Sequence, residues 1–226
     1  MKTIFIVDDS DTNLAAAKAM LDGTYRAYAL RSAARMFKFA EKILPDLILL
    51  DITMPEMNGF EAIQVLKSDE RLKNVPVIFL TAMQDAEEKI LGLDVGAHDV
   101  ISKPLARHEL IASIEAHLHG TEGSDYDDSR QEAPLDAMAQ INPELFAAFC
   151  KDVERAVKTL RETSSKGDLK RYTITAHAMK AALANIGETE MSKWACALEE
   201  AGLCGDTGFI AANTENFIKS LKVLTE

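Results

Sequence analysis

No uninterrupted apolar run in the 226 residues approaches the ~18 that a membrane-crossing helix requires. The apolar opening MKTIFIVDD meets acids too early to form the core of a secretory leader, so a cytoplasmic location is expected. Cysteine is scarce. Cys150, Cys196 and Cys204 are odd in number and lack CxxC spacing, which favours buried reduced thiols over a disulfide framework or a zinc site. Basic residues are outnumbered, with 25 Lys and Arg against 36 Asp and Glu and a formal net charge of −11. A surface for nucleic-acid phosphates or anionic lipid needs the opposite balance, so neither nucleic acid nor membrane is expected as a partner. A Gly-rich nucleotide loop, an ATP-dependent kinase motif and a helix-turn-helix are also missing. What is present is a 47% apolar chain, enough for a packed core.

That apolar content is organised differently in two halves. Through residue 119, short runs alternate with helix-length segments. IFIV (4–7), LILL (47–50) and VIFL (77–80) suit strands buried on both faces, and RAYAL (26–30) and DVIS (99–102) complete a set. Helices are expected at about 11–22, 32–43, 58–67, 85–94 and 106–118, giving an α/β fold with a parallel sheet. Residues 120–134, GTEGSDYDDSRQEAP, read as a solvated acidic linker. From 135 to 226 the strand pattern is gone. Helices at roughly 135–140, 143–164, 167–186, 188–203 and 206–224 predict an all-α bundle, with Asp168 at a start and Gly187 and Gly205 at stops.

The strand ends carry the chemistry. The first strand runs into Asp8-Asp9, the third into Asp51, the fourth into Thr81 and the fifth into Lys103-Pro104. Ligands bind at the carboxyl ends of parallel strands, so these side chains should converge on one crevice. Three crowded carboxylates repel one another unless a cation joins them, and oxygen ligands suit Mg²⁺. In that setting Asp51 is the expected nucleophile toward a phosphoryl group, with Thr81 and Lys103 neutralising its oxygens. Any one acid has a plainer explanation, since Asp8, Asp9 or Ser10 could simply cap the next helix. The coincidence of all five at strand ends is what points to a site.

The stretches VDDSDTN (7–13), LLDITMPEMNGFEA (49–62), LTA (80–82) and GAHDVISKP (96–104) resemble the receiver domain of two-component response regulators. The resemblance covers residues 1–119 and implies a flavodoxin-like fold with five parallel strands in the order 2-1-3-4-5. It implies Asp51 as phosphoacceptor, with Asp8, Asp9 and the Thr53 carbonyl as further Mg²⁺ ligands. Three residues before Lys103, where the family usually has Tyr or Phe, stands Val100.

In the second half, AHAMKAALANIG (176–187) places one histidine among alanines. Leu169, Tyr172, Ala176, Met179, Leu183 and Ile186 form the expected core stripe of this helix. Thr173, His177, Lys180, Ala181 and Ala184 form another, so His177 is expected to face solvent. Small neighbours would admit a docking partner, and Lys180 could attract a phosphoryl oxygen. Alanine is also the best helix former, so the plain alternative is an ordinary helix surface. His117 and His119 read as surface residues, and Trp194 as packed on the bundle interior. HAMKAALANIG with the following WACALEEAG resembles the histidine-phosphotransfer domain, except that Ala181 stands where that family usually has Gly. This implies His177 as the phosphorylated residue and Lys180 as its electrostatic aid.

Together these readings predict a phosphorelay intermediate, served by a sensor histidine kinase or by another receiver or phosphotransfer protein. Catalysis beyond phosphotransfer and slow self-dephosphorylation is not implied. The alternatives are a binding adaptor with vestigial phosphotransfer, or a haloacid-dehalogenase-like phosphatase suggested by DSDT (9–12).

Overall fold

Period-two alternation assigns each side chain of the central strands to one of two hydrophobic layers. Ile4, Ile6, Leu47, Leu49, Ile78 and Leu80 face one side, and Phe5, Val7, Ile48, Leu50, Val77 and Phe79 the other. All twelve are essentially fully buried, so both sheet faces are covered. The structure, a computed structural model, describes residues 1–81, 93–119 and 143–225.

The strands are β1 (Thr3–Val7), β2 (Arg26–Leu30), β3 (Leu47–Asp51), β4 (Val77–Thr81) and β5 (Asp99–Ser102), all parallel in the order β2-β1-β3-β4-β5. This is the flavodoxin-like fold expected. Helices α1 (Asp11–Leu21) and α4 (Arg107–His119) cover the layer of Ile4 and Ile6 through Leu14, Ala17, Leu21, Leu110 and Ile114. Helices α2 (Ala33–Ala40) and α3 (Gly59–Ser68) cover the other through Met36, Ala62, Ile63 and Leu66. Burying each such side chain contributes about 1.5–3 kcal/mol. The segments expected as a helix at 85–94, a linker at 120–134 and a helix at 135–140 lie wholly or largely outside the described residues.

The second half folds as α5 (Pro143–Lys166), α6 (Leu169–Asn185), α7 (Thr189–Cys204) and α8 (Thr207–Val223). Its connections are closed by Gly167, Gly187 and Gly205 at φ of 70°, 83° and 75°, where a Cβ would be strained. Tyr172, Met179, Leu183, Phe149, Leu160, Leu198, Phe217 and Leu221 fill the core, and Trp194 packs its ring edge-on against Phe217. Gly202 lets α7 approach α6 closely, since a Cβ there would lie 2.2 Å from Thr173 Oγ1. All three thiols are free, but Cys204 is exposed and Cys150 and Cys196 half-buried, contrary to the expectation of buried thiols. The expectation for His117 is also corrected: it is half-buried, bonded to the Ser113 carbonyl at 2.8 Å and edge-on to His98. Among the described residues no helix is long and apolar enough to cross a membrane.

The two halves touch. Helix α1 lies against α5 and α6. Among the described residues the first half holds two hydrophobic clusters and the second half one, and none of the three spans the join.

Candidate functional site

The carboxyl ends of β1, β3, β4 and β5 place Asp8, Asp51, Thr81 and Lys103 side by side, each at most 8% exposed. Parallel register fixes the heights. Asp51 pairs with Leu80 on β4, Thr81 pairs with Ser102 on β5, and the Lys103 amide donates to the Thr81 carbonyl at 2.6 Å. The Lys103 ammonium sits 2.7 Å from Asp8 Oδ2 and 2.8 Å from Asp51 Oδ1. Asp8 is held further by the Ser10 amide at 2.9 Å and by Asn13 Nδ2 at 3.1 and 3.0 Å. Ser10 does cap α1, accepting from the Asn13 amide, so the plain capping role belongs to it rather than to either acid. Gly59 is needed beneath the site: a Cβ there would lie 2.6 Å from the Asp51 carbonyl oxygen and 2.8 Å from Ile52 Cα. Thr53 lies in the loop that follows β3, and Val100 is buried within β5.

Asp8, Asp9 and Asp51 each bring a carboxylate oxygen within 4.8 Å of the others. Burial, reinforced by the charges of Asp8 and Asp51, pushes the Asp9 carboxyl up to about 8. Burial raises Asp51 to about 6, with Lys103 opposing the rise and Asp8 adding to it. Desolvation would lower Lys103, but Asp51 and Asp8 outweigh it and its pKa is raised. A lone ammonium thus leaves excess negative charge among oxygen donors, a donor set that fits a hard divalent cation such as Mg²⁺.

On α6, His177 does not face solvent as its helical stripe suggests. It is 6% exposed, because α7 covers one side and the first half lies across the bundle. Its Nδ1 lies 2.6 Å from Glu199 Oε1, and Lys180 Nζ lies 2.6 Å from Glu199 Oε2. Burial alone would raise Glu199, but the hydrogen bonds and charges of His177 and Lys180 outweigh it and lower its pKa. The carboxylate can only accept, so Nδ1 carries the proton, and in the neutral ring Nε2 holds the lone pair. That Nε2 is buried and has no hydrogen-bond partner among the described residues. A positive charge on this ring would act to lower the Asp51 pKa, more weakly than Lys103 does. Lys180 is therefore tied to Glu199 rather than free beside the imidazole.

Glu199 went unseen in the sequence reading, as did Asp152. Each had a visible signal, an acid on a stripe that is otherwise apolar or small: Ala195, Leu198, Glu199, Gly202 on α7 and Phe149, Asp152, Val153, Ala156 on α5. Asp152, 7% exposed, accepts from Ser10 Oγ at 2.8 Å and from the Asp11 and Thr12 amides at 3.1 and 2.7 Å. The Thr12 hydroxyl adds a bond of 2.7 Å to the same carboxylate. A groove of about 480 Å³ opens beside Asp9 at this join, with Arg31, Arg35, Arg155 and Arg171 in its walls.

The profile described as "Response regulator receiver domain" matches residues 4–115. The protein PilH of Pseudomonas aeruginosa is 34% identical over 121 residues, which span 53% of this chain and all of PilH. The chain belongs to the response regulator receiver family. A crystal structure of a putative response regulator from Chloroflexus aurantiacus is 30% identical at a TM-score of 0.50, covering 52% of this chain and 97% of that one. Other curated relatives are longer. The chain spans 28% of a probable cyclic di-GMP phosphodiesterase of Vibrio cholerae, to which it is 38% identical over 123 residues. The family match ends within α4, so the helical half lies outside it.

Proposed function

We propose that this receiver protein is a phosphorelay intermediate in which Asp51 and His177 both carry a phosphoryl group. The reading rests above all on the meeting of Asp8, Asp9 and Asp51 with Lys103 at the strand ends. A carboxylate oxygen of Asp51 attacks the phosphorus of a partner's phosphohistidine. The P–N bond breaks and the imidazole departs with the electron pair. Lys103 and Thr81 face the oxygens of the transferring group, and the Lys103 ammonium exchanges its pairing with the Asp51 carboxylate for one with the phosphoryl oxygens. Asp8, Asp9, Asp51 and the Thr53 carbonyl would hold Mg²⁺, which when bound offsets the negative charge gathered there. In the helical half, which takes the role of a phosphotransfer domain over 135–226, His177 offers Nε2 while Glu199 retains the Nδ1 proton and Lys180 supplies a nearby cation. The partners are a sensor histidine kinase, or another receiver or phosphotransfer protein.

The test uses labelled acyl phosphate with Mg²⁺ on the full chain. Wild type should gain a base-labile label at Asp51 and an acid-labile label at His177. Asp51→Asn should gain neither, and His177→Gln should keep only the first. Absence of label on the wild type refutes the reading.

A further inference from the structure

We propose that the helical half is the receiver's own phosphotransfer partner, docked in cis by Asp152 on the start of α1 so that His177 Nε2 exchanges a phosphoryl group with Asp51 of the same chain. The inference rests on the phosphorelay reading above and goes beyond it by naming the partner of each group. Four observations carry it.

The first is the latch. Asp152 reaches out of α5 and receives four hydrogen bonds from Ser10, Asp11 and Thr12 at the start of α1, the residues that directly follow Asp8-Asp9. A buried carboxylate at a helix N-terminus is stabilised by the unpaired amides there. Arg155 clamps it from behind, bonding both Asp152 and Asp11. Contacts made directly beside Asp8 and Asp9 make this a docking register rather than a generic surface pair.

The second is a polar thread through the join. Asn185, at the end of α6, donates to Asn13 Oδ1 at 2.7 Å, and Asn13 in turn donates to Asp8. The helix carrying His177 is thus tied to a residue that holds a site carboxylate.

The third is the imidazole. Among the described residues its buried Nε2 has no hydrogen-bond partner, although the other nitrogen is bonded. An orphaned buried nitrogen is disfavoured unless something occupies its direction. A phosphoryl group on Asp51 is that occupant. Nε2 attacks the phosphorus, the P–O bond to Asp51 breaks, and the electron pair returns to the carboxylate. The Nδ1 proton stays in its bond to Glu199, so the product is a phosphoimidazolium paired with a carboxylate. The reverse step restores the aspartyl phosphate.

The fourth is the character of the join. Among the described residues no hydrophobic cluster crosses it, and a groove of about 1400 Å³ between the halves is lined by Ala15, Ala16, Ala19, Ala147, Ala148 and Ala184 among others. Polar contacts and small side chains make a reversible interface rather than a permanent one. While docked, Asp51 is 2% and His177 6% exposed, so an outside protein must wait for the bundle to lift. A small acyl phosphate can still approach by the arginine-walled groove beside Asp9.

The experiment follows label from Asp51 to His177 in the full chain by rapid quench. In wild type the transfer rate should not change with protein concentration. A mixture of His177→Gln, labelled at Asp51, with unlabelled Asp51→Asn should transfer between chains roughly 100-fold more slowly at ~10 µM, because a linked partner acts at about mM concentration. Asp152→Ala should slow transfer within the chain by at least about tenfold, while labelling of Asp51 by acyl phosphate stays or rises. Asn185→Ala, which leaves α5 untouched, should slow it in the same direction, and far-ultraviolet circular dichroism reports that both variants fold. Transfer between chains as fast as within one overturns the docking, and so do wild-type rates in both variants. Absence of label on Asp51 overturns both readings, whereas label that reaches His177 only between chains overturns the docking alone.

Discussion

Replacing Glu199 by Gln removes one charge and almost no volume. The carboxylate holds His177 Nδ1 and Lys180 Nζ, both at 2.6 Å, on a side chain only 7% exposed. A hydrogen bond to a charged group contributes about 1.5–3 kcal/mol and a neutral one about 0.5–1.5 kcal/mol. Gln keeps a carbonyl for the Nδ1 proton but turns an amide N–H₂ toward the Lys180 ammonium. The net loss is about 1–2 kcal/mol at the moment the imidazole becomes positive, or roughly 5–30-fold in the rate at which His177 accepts a phosphoryl group. The assay is quenched transfer from labelled Asp51, with rates compared from about pH 5 to 8, the range in which an imidazole ordinarily changes charge. Glu199 acts through His177, so the pH profile of transfer should move as well as its height. Stability gives an independent reading. The Glu199 pKa is lowered from its ordinary value of 4.5, so its contribution is present above that pH and is lost as pH falls through the lower folded value. The gap in unfolding midpoint between wild type and Glu199→Gln should therefore close on acidification. A variant that transfers within about twofold of wild type, with an unmoved pH profile, would refute the role given to this carboxylate.

Asp9, raised to about 8, is mostly protonated at neutral pH, so Mg²⁺ should release close to one proton on binding near pH 7, measured by calorimetry in buffers of different ionisation enthalpy. The raised pKa costs stability as pH climbs from 3.8 through about 8, so the Mg²⁺-induced rise in Tm should grow across that window, and a flat response refutes it. Gly59→Ala forces a Cβ to within 2.6 Å of the Asp51 carbonyl oxygen, and labelling of Asp51 should fall even where circular dichroism shows a folded chain. Gly202→Ala, which meets Thr173 at 2.2 Å, should destabilise the bundle by about 1–3 kcal/mol in urea unfolding without moving the labelling of Asp51 by acyl phosphate.

The receiver half was legible because its signals are local. Apolar runs buried on both faces mark parallel strands, and the same runs end in the charged residues, so topology delivers the site without knowledge of any long-range contact. RAYAL and DVIS were weak in hydrophobicity, and they proved to be the two edge strands of the sheet, where one side lacks a neighbour. The helix ends of the second half were similarly marked by Asp168, Gly187 and Gly205. What sequence could not supply was the pairing of residues far apart in the chain. Ser10 and Asp152 are 142 positions apart, and Asn13 and Asn185 are 172 apart.

His177 shows why. A helical stripe divides residues into those that face the helix's own bundle and those that do not, and it assigns the second group to solvent. That inference holds only if nothing else packs on the second face. Here α7 brings Glu199 against it and the receiver half covers the rest, so His177 and Ala181 are buried. The alanines were legible as clearance for a partner. The occupant they admit is another part of the same chain, since Ala184 shares a groove with Ala15 and Ala16 of α1. Small side chains on both helices let the backbones approach without interlocking. Such a contact leaves its strength to a few polar bonds, and a face that must bind and release is better served by Asp152 and Asn185 than by a hydrophobic seam. The departure of Ala181 from Gly then costs little. Its methyl lies inside the docked assembly, where the fit is set once within the chain rather than anew at each encounter.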